Sequence, residues 1–288
     1  MRIDIENFDD PRLADYRALR DRELIGDDGR SGTFIGEGLL VIERMLAVRG
    51  ATRSILAAER RLAEIDALLA RHGQPDVPVF VTPDHRVEAL TGFQMHRGAI
   101  ACGDRSVLQS RSLTEIAPTS GPALVLAADG VGDRDNIGAI FRDGAAFGAH
   151  GVLLGQHCHD PLYRKSIRSS MGYTLSVPFL HCVLPSTLRM LRRDHGYSVL
   201  GTVCRPGARS LPSIRRTERM VVVVGNEFRG ISPEVEAECD QLAFIPMRAG
   251  IDSLNVSVAG AVTLFHLAHG KGDLVDGKPD RARLNRGR

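Results

Sequence analysis

The chain has 288 residues, 43% of them hydrophobic and 25% charged, so it reads as a soluble globular protein long enough for two domains of ordinary size. No apolar stretch approaches the ~18 residues of a membrane span, and the polar, acidic start (1–16) does not read as a signal peptide; a cytoplasmic protein with no membrane partner is expected. The net charge of +2 is too small to identify a nucleic-acid partner. Cys102, Cys158, Cys182, Cys204 and Cys239 are odd in number and far apart, as reduced thiols are, with no zinc-knuckle or redox spacing.

In chain order, residues 1–109 read as a smaller α/β unit. Strands are predicted at 33–37, 53–58, 77–81 and 99–103, and helices at 38–49, 59–72 and 84–91. Residues 110–121 lie in a stretch where Ser, Thr, Pro and Gly concentrate, which marks a linker. From 122 to 270 apolar runs recur at 123–128, 151–155, 198–203, 221–225 and 242–246, with helical patterns at 136–148 and 185–196. Continuous apolarity means strands covered on both faces, and alternation with helices means a mostly parallel sheet. Ligands of such sheets sit beyond the carboxyl ends of the strands. Residues 271–288 form a basic tail, either solvated or touching phosphates.

Three polar segments follow strands at those ends. In 129–148, glycines between strand and helix raise a dinucleotide site, but Gly130 and Gly132 lack the third glycine and no acid stands near 152. What remains is a helix starting near Asn136, with Arg142 set among Gly138, Ala139, Gly144, Ala145 and Ala146, which points to close packing and an unusually placed cation. In 225–235, Gly225 permits a sharp turn and close approach of a ligand, and Ser232 with Pro233 reads as an N-cap. A capped turn accounts for these residues and not for Glu227, an acid able to bind a hydroxyl or a cationic group. In 253–270, Ser253 or Asn255 caps a helix that Val258, Val262, Leu264, Phe265 and Leu267 make largely buried; one cap suffices, which leaves one polar side chain for a ligand. His157, His159 and Asp160 have metal-like letters but no supporting second cluster, and His266 with His269 lack an accompanying acid, so no metal is expected.

Asn136-Ile-Gly138-x-x-x-Arg142, Gly225-Asn-Glu227-x-x-Gly230, and Ile245-Pro-Met247 with Ser253-Leu-Asn255-Val-Ser-Val-Ala259 resemble, in order and spacing, the three signature motifs of the SpoU/TrmH family. These are S-adenosylmethionine-dependent RNA ribose 2′-O-methyltransferases of the SPOUT superfamily. Residues 167–179 resemble the family's connecting segment, and 34–46 with 91–101 are similar to an RNA substrate-binding domain of L30e-like fold. The resemblance implies a C-terminal parallel-sheet domain threaded into a trefoil knot, and a homodimer whose active sites are each completed by the neighbour. It places the methyl donor near Gly225, Asn226, Ile245, Met247, Ser253 and Leu254, with Gly225 and Ile245 expected to end neighbouring strands. Arg142 acts on the ribose hydroxyl, as a base or as a cation. Asn136 orients Arg142 or the loop; Glu227, Ser253 and Asn255 position donor, arginine and ribose; Arg229 meets phosphate or solvent. The implied partner is RNA, ribosomal RNA before transfer RNA, with a non-catalytic RNA-binding factor as the alternative. Arg248 and Asp252 have no assigned role.

Overall fold

Two sheets carry the chain, one in each of the units that the sequence separates. The computed structural model describes residues 1–5, 7, 9–17, 24–26, 31–83, 98–109, 111–205 and 207–269. The helix expected at 84–91, most of the 91–101 segment and the tail at 271–288 lie outside them. The first sheet is built from β1 (Arg2–Asp4), β2 (Thr33–Glu37), β3 (Thr52–Ala58), β4 (Val79–Thr82) and β5 (Ala99–Asp104), in spatial order β1-β4-β3-β5-β2. It is mixed: β1, β4 and β3 run parallel, while β5 runs antiparallel to both its neighbours. Helices α1 (Leu39–Ala47) and α2 (Leu62–Arg71) bury Val41, Ile42, Met45, Ile65 and Leu68 at helical spacing.

Short helix α3 (Arg105–Gln109) closes the first unit, and α4 (Leu113–Ile116) lies in the stretch expected to be a linker. The Ser112 amide donates to the Glu115 carboxylate at 2.7 Å, and Ile116 is buried. Arg105 is buried and pairs with Asp160, and the Arg44 guanidinium lies 3.6 Å over the Tyr173 ring. The units are thus tied by charge and stacking as well as by the chain.

The second sheet contains β6 (Ala123–Ala128), β7 (Gly151–Leu154), β8 (Phe179–His181), β9 (Ser198–Thr202), β10 (Arg209–Ser210), β11 (Arg219–Val224) and β12 (Gln241–Phe244). Its order is β10-β12-β9-β11-β6-β7-β8, every pair parallel. Its helices are α5 (Arg134–Ala146), α6 (Arg164–Ser169), α7 (Leu184–His195), α8 (Pro233–Glu236) and α9 (Val256–His269). Strand β6 explains the continuous apolar run. Leu124, Leu126 and Ala128 pack in one cluster with Ile137, Ile140 and Phe141 of α5, while Ala123, Val125 and Ala127 pack in another with Leu184, Leu188 and Leu191 of α7. Both faces leave water, at roughly 1.5–3 kcal/mol for each Val or Leu side chain.

Two expectations are corrected. Strand β9 lies between β11 and β12, so the strands ending at Gly225 and Ile245 are not neighbours; strand order is set by long-range packing that a local run does not record. Helix α9 buries Leu264 and Leu267, but Val258, Val262 and Phe265 are 46%, 38% and 56% exposed. A helix that is apolar all round has filled one face and kept the other bare.

Candidate functional site

Strands β6 and β11 run in register up to Ala128 and Val224, so the loops that follow leave the sheet side by side. The Asp129 carboxylate accepts from the Ser232 amide and hydroxyl, both at 2.7 Å. Ser232 precedes α8 as expected, but its hydroxyl goes to Asp129 and not to the helix amides. Asn226 and Gly230 exchange backbone hydrogen bonds of 2.9 Å, and Asn226 Oδ1 accepts from the amides of Phe228 (2.9 Å) and Arg229 (3.1 Å). Asn226 Nδ2 donates to Gly130 O at 2.7 Å and so ties this loop to the one after β6.

Glu227 lies at the start of α5. Its carboxylate accepts from the Gly132 and Asp133 amides at 3.3 Å each and from Asn136 Nδ2 at 2.8 Å. Asn136 Oδ1 accepts from Asn255 Nδ2 at 2.9 Å, and Asn255 Oδ1 accepts from the Ser257 amide at 2.9 Å, capping α9. Both ends of this chain fix the amide orientations. A carboxylate only accepts, so Asn136 must turn its NH₂ to Glu227; the α9 amides only donate, so Asn255 must turn its oxygen to them. The middle bond then has one possible direction. Glu227, Asn136 and Asn255, from three segments far apart in sequence, form one hydrogen-bonded unit. The acid that the turn left unexplained is its anchor.

Asn255 is therefore the cap, and Ser253 is exposed with no hydrogen bond among the described residues. Helices α5 and α9 run side by side from the Asn136–Asn255 contact to Phe147 and Phe265, whose rings stand 5.9 Å apart. Gly138 lets α5 lie close against α6: a Cβ there would stand 2.5 Å from Ser166 O. Gly225 has a reason other than approach to a ligand. A Cβ on it would lie 2.2 Å from the Gly230 carbonyl carbon and 2.3 Å from Ile231 N, so the chain itself occupies that space.

A cleft of about 340 Å³ opens at the end of β12. Phe244, Ile245, Met247 and Ile251 supply apolar walls, and Arg205, Arg248 and Asp252 supply charge. Of the residues expected around the donor, Ile245 and Met247 line it, whereas Gly225, Asn226, Ser253 and half-buried Leu254 do not. Arg142 stands apart from both features. Six residues after Asn136, about 600° of helical rotation, it faces a different side of α5. It is exposed in a stripe with Ala139 and Ala146, and its guanidinium makes no hydrogen bond or ion pair among the described residues. Arg229 is likewise exposed. Sequence reasoning missed Asp129, although it directly follows a strand end, and Asp133, the N-cap of α5.

The sequence profile of the SpoU rRNA methylase family matches residues 123–265, a span that contains all three motifs. A Mycobacterium tuberculosis protein named as an uncharacterized tRNA/rRNA methyltransferase is 34% identical over 267 residues, 91% of this chain and 90% of its own. The chain belongs to the SpoU methylase family. The resemblance drawn from the three motifs therefore holds. An AdoMet-bound rRNA methyltransferase from Sinorhizobium meliloti is similar in structure, with a TM-score of 0.75, 25% identity and coverage of 92% of this chain and 96% of that one. An RNA 2′-O ribose methyltransferase gives a TM-score of 0.69 at 25% identity over 92% and 97%.

In this SpoU methylase Asp143, next to Arg142, is half-buried. Desolvation pushes its carboxyl up to about 6, against the pull of the Arg142 guanidinium. A carboxyl raised by folding costs nothing while it is protonated in both states, below about pH 4. Its cost grows as pH rises and is complete above about pH 6. Asp143→Asn is expected to gain about 1 kcal/mol at pH 8, after allowance for screening on its open side, and little at pH 4. Urea midpoints at the two pH values check this.

Proposed function

We propose that the protein transfers a methyl group from S-adenosylmethionine to a ribose 2′-hydroxyl of structured RNA, ribosomal RNA before transfer RNA. The observation that carries this reading is the Glu227–Asn136–Asn255 unit, which joins three strand-end loops of a SpoU methylase. The two structural relatives, one described as an AdoMet-bound rRNA methyltransferase and the other as an RNA 2′-O ribose methyltransferase, support donor, substrate and position of attack.

The cleft suits the donor: its volume falls in the range of small-molecule sites, Ile245 and Met247 offer apolar walls to a base, and Arg248 and Asp252 offer opposite charges to an amino-acid end. Bound there, S-adenosylmethionine supplies a methyl group on a sulfonium, a good leaving group. A ribose hydroxyl is a poor nucleophile, so its proton must leave or be strongly shared. Arg142 is assigned to that oxygen, as a neutral guanidine taking the proton or as a cation holding the alkoxide. Guanidinium's persistence in proteins favours the cation. Asn136 and Glu227 keep the start of α5 fixed, Asn255 holds α9 beside it, and Ser253, on the loop that leaves the cleft, is left for donor or ribose.

The position of Arg142 supports a homodimer. Helix α5, which exposes Arg142, packs along α9, which leaves Val258, Val262 and Phe265 bare. A second copy covering this face removes the apolar surface from water and carries each Arg142 to the neighbour's site. A trefoil knot is supported by the position of β12 between β9 and β10, which makes the β9-to-β11 connection pass around the strand that leads into α9. His266 of α9 donates to Ile214 O of that connection at 3.0 Å. The unit at 1–109 is assigned to RNA binding and the protein to the cytoplasm; among the described residues no helix is long and apolar enough to cross a membrane.

The test is methyl transfer from a tritiated donor to ribosomal and transfer RNA prepared from a strain lacking the gene. Label in ribosomal RNA is expected. Label confined to transfer RNA moves the substrate, and no label in either leaves a non-catalytic RNA-binding factor.

A further inference from the structure

The loop that carries Glu227 also carries an aromatic ring that the fold leaves bare. Phe228 is 96% exposed, more than any other large apolar side chain among the described residues. A mobile loop would fold such a ring back onto the protein, since burying a Phe contributes roughly 1.5–3 kcal/mol. This loop is held. The Asn226–Gly230 bridge closes it, Asn226 Oδ1 fixes the Phe228 and Arg229 amides from inside, and Asn226 Nδ2 pins it to Gly130. On one side of Phe228, Glu227 turns inward to Asn136; on the other, Arg229 is exposed, and its guanidinium makes no hydrogen bond or ion pair among the described residues. A rigid ring with a free cation beside it, at the rim of a site for ribose, matches the two faces of a single nucleotide.

We infer that Phe228 is a stacking platform for an unpaired RNA base next to the reacting ribose, with Arg229 meeting a phosphate of the same stretch. This rests on the function proposed above. RNA is read chiefly where its bases are splayed out of a helix, and aromatic side chains take such bases whatever their sequence, with a large effect per base. A base held on Phe228 pulls its nucleotide out of the stack and exposes the 2′-hydroxyl to attack. The platform thus selects loops and bulges over duplex.

The sequence contains no tryptophan, so Phe228→Trp places a single fluorophore at the platform. Quenching of its emission by ribosomal RNA from a strain lacking the gene, with none by a fully paired RNA duplex, is expected. Phe228→Trp, which retains an aromatic face, lowers kcat/KM for RNA less than Phe228→Ala does. Phe228→Ala lowers kcat/KM for RNA about 10- to 100-fold and leaves the affinity for S-adenosylhomocysteine, measured by calorimetry, unchanged. The inference is overturned if ribosomal RNA leaves the emission unaltered, or if Phe228→Ala retains wild-type kinetics. It is equally overturned if the emission shifts to the blue with protein concentration in the absence of RNA, which would put the ring in a contact between copies. Failure of the wild-type protein to methylate any RNA counts against the function, whereas the emission, read without donor, judges the platform on its own.

Discussion

Arg142→Ala lowers kcat for methyl transfer by about 10³-fold or more, within the range of a lost general base or of a lost charge-stabilising group. Donor affinity stays within about twofold, because Arg142 does not line the cleft. Stability changes by no more than about 0.5 kcal/mol, since the exposed guanidinium makes no hydrogen bond or ion pair among the described residues. Arg142→Lys keeps a charge but loses the planar fork of donors, and its activity falls by about 10² or more. Steady-state kinetics with ribosomal RNA, calorimetry with S-adenosylhomocysteine and urea unfolding read these three quantities separately. The shared site adds a sharper outcome. Arg142→Ala and Glu227→Ala chains, each inactive alone, recover about a quarter of wild-type activity when coexpressed, because half the dimers are mixed and each mixed dimer has one intact site. If Arg142 served its own chain, coexpression would restore nothing.

Gly225→Ala is the substitution with the largest expected cost to the fold. The atoms its Cβ would strike, the Gly230 carbonyl carbon at 2.2 Å and Ile231 N at 2.3 Å, are backbone and have no rotamer to yield. Relief requires moving the 226–230 loop, and with it the Asn226 bonds to Gly130 and the Glu227 bond to Asn136. A loss on the order of 3 kcal/mol is expected, seen as a lower urea midpoint, with methyl transfer falling along with it. Gly132→Ala is the control. Nothing lies within 4 Å of its added Cβ, its amide still reaches Glu227, and its stability stays within about 0.5 kcal/mol of wild type.

Much of this architecture was legible. Strands β2 and β6 were read to the residue, since both are unbroken β-rich runs, and β9, β11 and β12 within two residues. Strands β1, β8 and β10 were not read: with two or three residues each, they show no period. The order that puts β9 between β11 and β12 depends on which helices cover which face, and no single segment carries that. The site was legible as chemistry and not as geometry. Glu227 stands out as an acid at a strand end, Asn136 as a helix start and Asn255 as a cap candidate, yet their joining into one unit is a long-range fact. The need for glycine at 225 was visible, but its cause, the return of the chain at Gly230, was not. Phe228 passed for an ordinary apolar letter until the loop around it closed. The bare stripe on α9 reads as core in the sequence because apolarity alone does not distinguish a buried face from an exposed one.

What decides whether these loops build a ribose methyltransferase is where the label lands on the RNA. A methyl group on a 2′-oxygen removes the nucleophile that alkali needs to cleave the adjacent phosphodiester. RNA labelled by the wild-type protein and hydrolysed in alkali should therefore hold its tritium in alkali-stable dinucleotides, and RNA incubated with Arg142→Ala should hold almost none. Tritium recovered in single nucleotides would mean a methylated base, and the assignment of the Glu227–Asn136–Asn255 unit and Arg142 to a ribose hydroxyl would be wrong.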